Sequence, residues 1–184
     1  MKKAIVLLAE GFEEIEAVTP IDYLRRAGVE VTAAAVSGNL PVKGARGITV
    51  HADTTLHEAD GYDAVIIPGG MPGAANIAAS PEAGALITAM AAAGKLVCAI
   101  CASPAVVLAP LGLLSGRQFT CYPGMEEKVQ GGRWTADRVV IDGNIITSRS
   151  AGTAGEFAVA VIGQLVGKAE GEKIAKAVLL QIPA

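Results

Sequence analysis

Residues 95–112 read KLVCAICASPAVVLAPLG. The first six, KLVCAI, form a short apolar run that reads as a buried strand. SPAVVLAPLG (103–112) reads as a helix, with Ser103 as its N-cap and Pro104 in its first turn. Strand gives way to helix within three residues, and Cys101 sits on the turn. A strand passing directly into a helix is the repeating unit of an α/β fold, so the rest of the chain is read against that pattern.

The pattern holds in both directions. Upstream, KKAIVLLA (2–9), VEVTAAAV (29–36), GITVHAD (47–53) and YDAVIIPGG (62–70) read as strands, the third as a hairpin or edge. EEIEAVTPIDYLRRAG (13–28) reads as a helix with Ile15, Val18, Ile21 and Leu24 on one face, Gly28 as its stop and a break or kink at Pro20. SPEAGALITAMAAAG (80–94) has Ser-Pro-Glu as its start. Downstream, RQFTCY (117–122), RVVID (138–142) and NIITSRS (144–150) read as strands, the last two joined at Asp142-Gly143. AGEFAVAVIGQLVG (154–167) and GEKIAKAVLL (171–180) close the chain as helices. The alternation predicts a doubly wound, mainly parallel sheet with helices on both faces.

Composition agrees with that reading. The 184 residues are most economically one domain, 1–184, able to bury roughly 70% of the unfolded surface. Hydrophobic residues make up 52% and aromatics only 4%, so the core must be aliphatic. A net charge of −3, with scattered Lys and Arg, offers no stripe for nucleic acid and no polybasic patch for a membrane surface. No run approaches the ~18 apolar residues of a membrane span. The apolar run after Lys2-Lys3 is too short for a signal peptide and is followed by acids. Three cysteines without an export signal predict reduced thiols in the cytoplasm.

In this architecture ligands gather at the carboxyl ends of the strands. Three loops there carry chemistry: AEGFEE, PGGMPG and CAICASP. Unpaired N–H groups and a helix end beside Cys101 favour its thiolate, the reactive form. The alternative is a small residue packed at a tight turn. Cys98 and Cys101 form C-x-x-C, but Cys98 lies inside the strand, and no second pair or His cluster completes a metal site. Cys121 reads as a core residue. No metal is expected. The histidines, His51 and His57, lie far upstream, and the late histidine of a class I amidotransferase is missing.

The acids at Glu10, Glu13, Glu14 and Glu16 then become candidates. Helix-start electrostatics accounts for Glu13 and Glu14, at roughly 0.3–1 kcal/mol each. It accounts less well for Glu16, which lies at or past the first turn. Glu13 and Glu16 lie three apart and share a face; whichever of them points at the strand edges would have a raised pKa and could keep a proton to donate to the Cys101 thiolate.

GFEEIEAVTPIDYLRRAG, YDAVIIPGGMPGA, AICASPA and TSRSAGTAGEFA together resemble, in order, the segments of the ThiJ/PfpI superfamily, in the branch of the Parkinson-disease-associated protein deglycase. The resemblance implies a flavodoxin-like fold, usually a homodimer, and a reactive cysteine that needs no cofactor. It matches Cys101 to the nucleophile, Glu16 to the protonated glutamate, and the main-chain N–H groups of Gly70 and Ala102 to oxyanion donors. Arg46 matches an arginine that in relatives reaches the site from the partner subunit. Tyr122 stands where many relatives have a histidine before proline, Ser150-Ala151 replaces a glycine-proline pair, and His51 falls where some relatives have a second cysteine. The implied activity is that of a glyoxalase or deglycase acting on methylglyoxal, glyoxal or their adducts. The alternative is a redox sensor or chaperone-like protein working through oxidation of Cys101. Peptidase and thiazole-related activities of other relatives find no supporting residues.

Overall fold

The computed structural model describes residues 1–56 and 61–181, so His57 lies outside the described residues. Its centre is a seven-stranded sheet. In chain order the strands of that sheet are β1 (Lys3–Leu8), β2 (Glu30–Ala35), β5 (Thr54–Thr55), β6 (Ala64–Ile67), β7 (Leu96–Ile100), β10 (Val139–Asp142) and β11 (Ile145–Ser148). Their spatial order is β10-β11-β7-β6-β1-β2-β5. All neighbours are parallel except β10 and β11, which form an antiparallel hairpin at one edge. From β1 the chain moves outward to β2, then returns to place β6 on the other side. The order therefore reverses beside β1, where such sheets open a crevice at the carboxyl ends of their strands.

The inner strands are nearly continuous apolar runs because both faces are covered. Every residue of β6 and the last five of β1 are buried. Helix α1 (Glu14–Arg26) packs against α4 (Ala154–Leu165), which packs against α5 (Lys168–Ala177). The short α2 (Gly73–Ala78) packs with α3 (Pro81–Ala92), which begins at a Ser80 N-cap whose hydroxyl accepts from the Ala83 N–H. Two small ribbons complete the fold: β3 (Pro41–Lys43) with β4 (Thr49–His51), and β8 (Gln118–Phe119) with β9 (Arg133–Trp134). The 47–53 segment is thus both hairpin and lead-in to the sheet edge.

Four expectations need correction. Helix α1 runs through Pro20 without a restart. Proline removes one backbone hydrogen bond, but Pro20 is buried with Ala17, Ile21 and Leu24, and that packing holds the helix together. The buried stripe therefore follows a 3–4 spacing, and Ile15 and Val18 face outward at 54% and 44% exposure. The stretch 103–112 forms only a five-residue π-helical turn, Pro104–Leu108. Ser103 is not its N-cap: already helical, it turns its buried hydroxyl to the Pro68 carbonyl at 2.6 Å.

Candidate functional site

The sheet order brings three loops together at the carboxyl ends of β1, β6 and β7. Each is tied to its neighbours by the main chain. Glu13 N–H donates to Gly69 O at 2.9 Å, and Ser103 Oγ bridges the Cys101 turn to Pro68. Gly69 explains the closeness of the loops. A Cβ there would lie 2.7 Å from Cys101 Cβ and 2.8 Å from Glu16 Oε2, so only glycine fits.

Cys101 follows directly on β7 and has φ 65. A non-glycine residue in this left-handed region costs on the order of 1–3 kcal/mol and persists only when its surroundings enforce it. They do so here, because the Cys101 N–H donates to Ser148 O at 3.0 Å and its carbonyl accepts from Tyr122 N–H at 2.8 Å. The result is a nucleophile elbow, with the cysteine almost buried at 9% exposure.

Glu16 meets this cysteine from the first turn of α1. It is fully buried. Oε2 accepts from the Gly69 N–H at 2.9 Å, while Oε1 is buried without a well-formed hydrogen bond. The Cys101 thiol and the Ala151 N–H act on the carboxyl from nearby. An ionised carboxylate would leave Oε1 unsatisfied, whereas a protonated one can donate from it. Burial accordingly raises the Glu16 pKa to about 7, despite the opposing pull of Cys101 and Gly69. Glu13 is the N-cap, its carboxylate accepting the Glu16 N–H at 2.9 Å.

The helix end does not by itself make Cys101 a thiolate, contrary to expectation. Burial first, then the Glu16 charge, push the thiol up to about 12, against N–H donors from Gly70 and Ala102. The turn that follows is too short for a strong dipole. Burial and the neighbouring Glu16 carboxylate both oppose an anionic sulfur, so its ionisation is tied to the protonation of Glu16. The unit that titrates is the pair.

The other predicted site residues divide. Gly70 and Ala102 present their N–H groups to the sulfur. Tyr122 is half-exposed and lines, with Arg138, Arg149, Ser150 and Gly152, a cavity of about 340 Å³. Arg46 is exposed, and its N–H donates to Glu14 Oε1 rather than toward Cys101. His51 is an exposed residue of β4. Cys98 and Cys121 are buried free thiols, raised by burial.

Sequence reasoning missed Glu14. It is buried, and Oε1 accepts the N–H groups of Arg46 at 2.7 Å and Ile48 at 3.3 Å. A signal existed in Gly44, since a Cβ there would run into the Glu14 carboxyl. Among the described residues, no group of three or more His, Cys, Asp or Glu side chains is placed to hold a metal ion, and no helix is long and apolar enough to cross a membrane.

Comparison with known proteins agrees with this geometry. The DJ-1/PfpI family model matches residues 2–164. The chain is 38% identical over 172 residues to the Parkinson disease protein 7 homolog of Danio rerio, covering 90% of each protein. It is 38% identical over 184 residues to a Caenorhabditis elegans protein named glutathione-independent glyoxalase DJR-1.2, covering 97% of each. It is 40% identical to Protein DJ-1 homolog B of Arabidopsis thaliana, but spans only 41% of that relative's length. The structure of oxidized Toxoplasma gondii DJ-1 superposes with a TM-score of 0.96 at 41% identity, over 99% of this chain and 100% of that one. Flavodoxin-like sheet, elbow cysteine and family match converge, and the chain belongs to the DJ-1/PfpI family.

Proposed function

We propose that this chain is a cofactor-free, cysteine-dependent enzyme acting on methylglyoxal, glyoxal or their adducts, as a glyoxalase or deglycase. The observation that carries the reading is the Cys101–Glu16 pair: a nucleophile held at an enforced turn, beside a carboxyl whose proton leaves near neutrality. The glyoxalase name of the Caenorhabditis elegans relative supports the same chemistry.

Cys101 Sγ adds to the aldehyde carbon of methylglyoxal while the thiol proton passes to the Glu16 carboxylate. The developing oxyanion takes the N–H groups of Gly70 and Ala102 that the resting sulfur occupies. Protonation of that oxygen gives a hemithioacetal. Glu16 then carries a proton from the aldehyde carbon to the neighbouring ketone carbon, and the hydroxyl proton passes from the first oxygen to the former ketone oxygen. The first carbon is oxidised and the second reduced, so no external electron carrier is needed. Water cleaves the resulting lactoyl thioester, releasing lactate and the thiol. Lactate formation from methylglyoxal without glutathione tests the scheme. Cys101→Ser should lower the rate on the order of 10⁴-fold, as loss of a nucleophile does; equal rates overturn the mechanism.

A redox-sensing or chaperone-like role is the second reading, favoured by the two N–H donors and the carboxyl proton around one sulfur. Two equivalents of peroxide would convert the thiol to a sulfinic acid and release two waters. Intact-mass analysis should then find two added oxygens at Cys101; oxidation spread over all three cysteines speaks against this role. The exposed Ile15, Val18 and Ile48 support a homodimer through α1 and the 44–48 loop, which would carry Arg46 toward the other copy's site. The three free thiols fit the reducing cytoplasm.

A further inference from the structure

The cavity of about 340 Å³ beside the reactive pair has a size suited to a small ligand. It touches the pair's surroundings on two sides. Its Tyr122 donates its N–H to the Cys101 carbonyl, and its lining residues Ser150 and Gly152 flank in sequence Ala151, whose N–H acts on Glu16. Two guanidinium groups reach this cavity, and their situations differ.

Arg138 is fully engaged. Its Nε donates to Glu156 Oε2 at 2.7 Å and its Nη2 to Gly152 O at 2.9 Å. Arg149 is only partly exposed, and its Nη1 donates to Ala136 O at 2.9 Å. Among the described residues it forms no ion pair with any carboxylate. Glu156 is held by Arg138, and Glu126, whose charge also reaches Cys121, is not bridged to Arg149. An arginine cannot shed its charge, and a partly buried one with a single carbonyl partner leaves most of its donor fork unpaired. Arg149 lines the cavity, and the free donors of a guanidinium are suited to a carboxylate or phosphate.

We propose that this cavity is an oxyanion subsite of the Cys101 site, in which Arg149 holds a carboxylate or phosphate carried by the substrate. Tyr122 and Ser150, both hydroxyl-bearing, line the same space. The preferred substrates are then α-dicarbonyls that carry an anionic group rather than neutral ones. The reacting end of this proposal rests on the reading of Cys101 as a nucleophile; the binding end does not.

Binding is therefore measured apart from turnover. Equilibrium dialysis of the Cys101→Ser protein against radiolabelled inorganic phosphate, at constant ionic strength, should show one saturable site. Arg149→Gln in that background should weaken it by about tenfold or more, as loss of a charge-assisted pair does, and Arg149→Lys should fall between. Displacement of the label by acetate identifies a site that accepts either anion; no displacement restricts the proposal to phosphate. Absence of saturable binding, or equal affinity in all three proteins, overturns it. Circular dichroism establishes that the variants fold; should Arg149→Gln fail to, the lysine variant decides alone. In the enzyme with Cys101 intact, the kcat/KM preference for 4,5-dioxopentanoate, an anionic α-ketoaldehyde, over methylglyoxal should fall about tenfold in Arg149→Gln. If neither aldehyde is consumed, the nucleophile reading fails while the dialysis result stands.

Discussion

Two buried glutamates, two residues apart at the start of α1, face different parts of the molecule. Glu14 turns to the 44–48 loop, where two main-chain N–H groups converge on one of its oxygens at 2.7 and 3.3 Å. Glu16 turns to the Cys101 turn, where one N–H is met and the remaining oxygen faces a thiol. The residue type, helix and burial are the same. Two donors on one oxygen make Glu14 a clamp for a loop. Burial, opposed only in part by the Cys101 thiol and the Gly69 N–H, raises Glu16 to about 7. What separates scaffold from chemistry here is which group the carboxyl was given to answer it.

Exchanging the carboxyls for amides tests that contrast most strongly. Glu16→Gln should cut lactate formation by about 10²–10⁴-fold, the usual value of a positioned proton carrier, and remove the inflection near pH 7 from the pH profile. Glu14→Gln, which still offers an oxygen to the loop, should leave the rate within a few-fold of the parent. Comparable losses in both would erase the distinction.

The pH dependence of stability is the next largest effect. The unfolded chain ionises Glu16 at its ordinary value of about 4.5, whereas the folded chain holds the proton to about 7. Between those values the native state binds more protons, so stability falls as pH rises. The difference, 7 − 4.5 = 2.5, corresponds to about 3 kcal/mol at ~1.4 kcal/mol per unit. Glu16→Gln lacks this titration. Urea unfolding at pH 4.5 and pH 8 should show the variant gaining by that amount relative to the parent across the interval; a constant difference would show that Glu16 ionises normally.

Glu14→Ala gives the smallest effect. It strands the N–H groups of Arg46 and Ile48 and should cost about 1–3 kcal/mol in the same unfolding assay. It should also weaken self-association in sedimentation, if loop 44–48 carries the dimer. A stable variant with an unchanged association constant would remove Glu14 from that role.

The architecture was legible because each inner strand is an uninterrupted aliphatic run, and Cys101 because strand and turn abut in one short stretch. Dipole electrostatics explained Glu16 less well than its neighbours, and the family resemblance chose it over Glu13. What the sequence hid depends on contacts between distant segments. Glu14 looked like a helix-start acid because its N–H partners lie about thirty residues away. Ile15 and Val18 looked like core because a spacing of three resembles a helix stripe until the neighbours are known. The 103–112 stretch looked like a full helix, yet it stops after Leu108. The thiol's own acidity was misjudged for a related reason: two N–H donors were foreseen, but not how far burial would outweigh them.

The backbone twist at Cys101 carries a corollary. At φ 65 the residue most at ease is glycine, which has no side chain with which to react. A Cys101→Gly change would relax the backbone at this turn while removing the sulfur, so fold and thiol make opposite demands on one position.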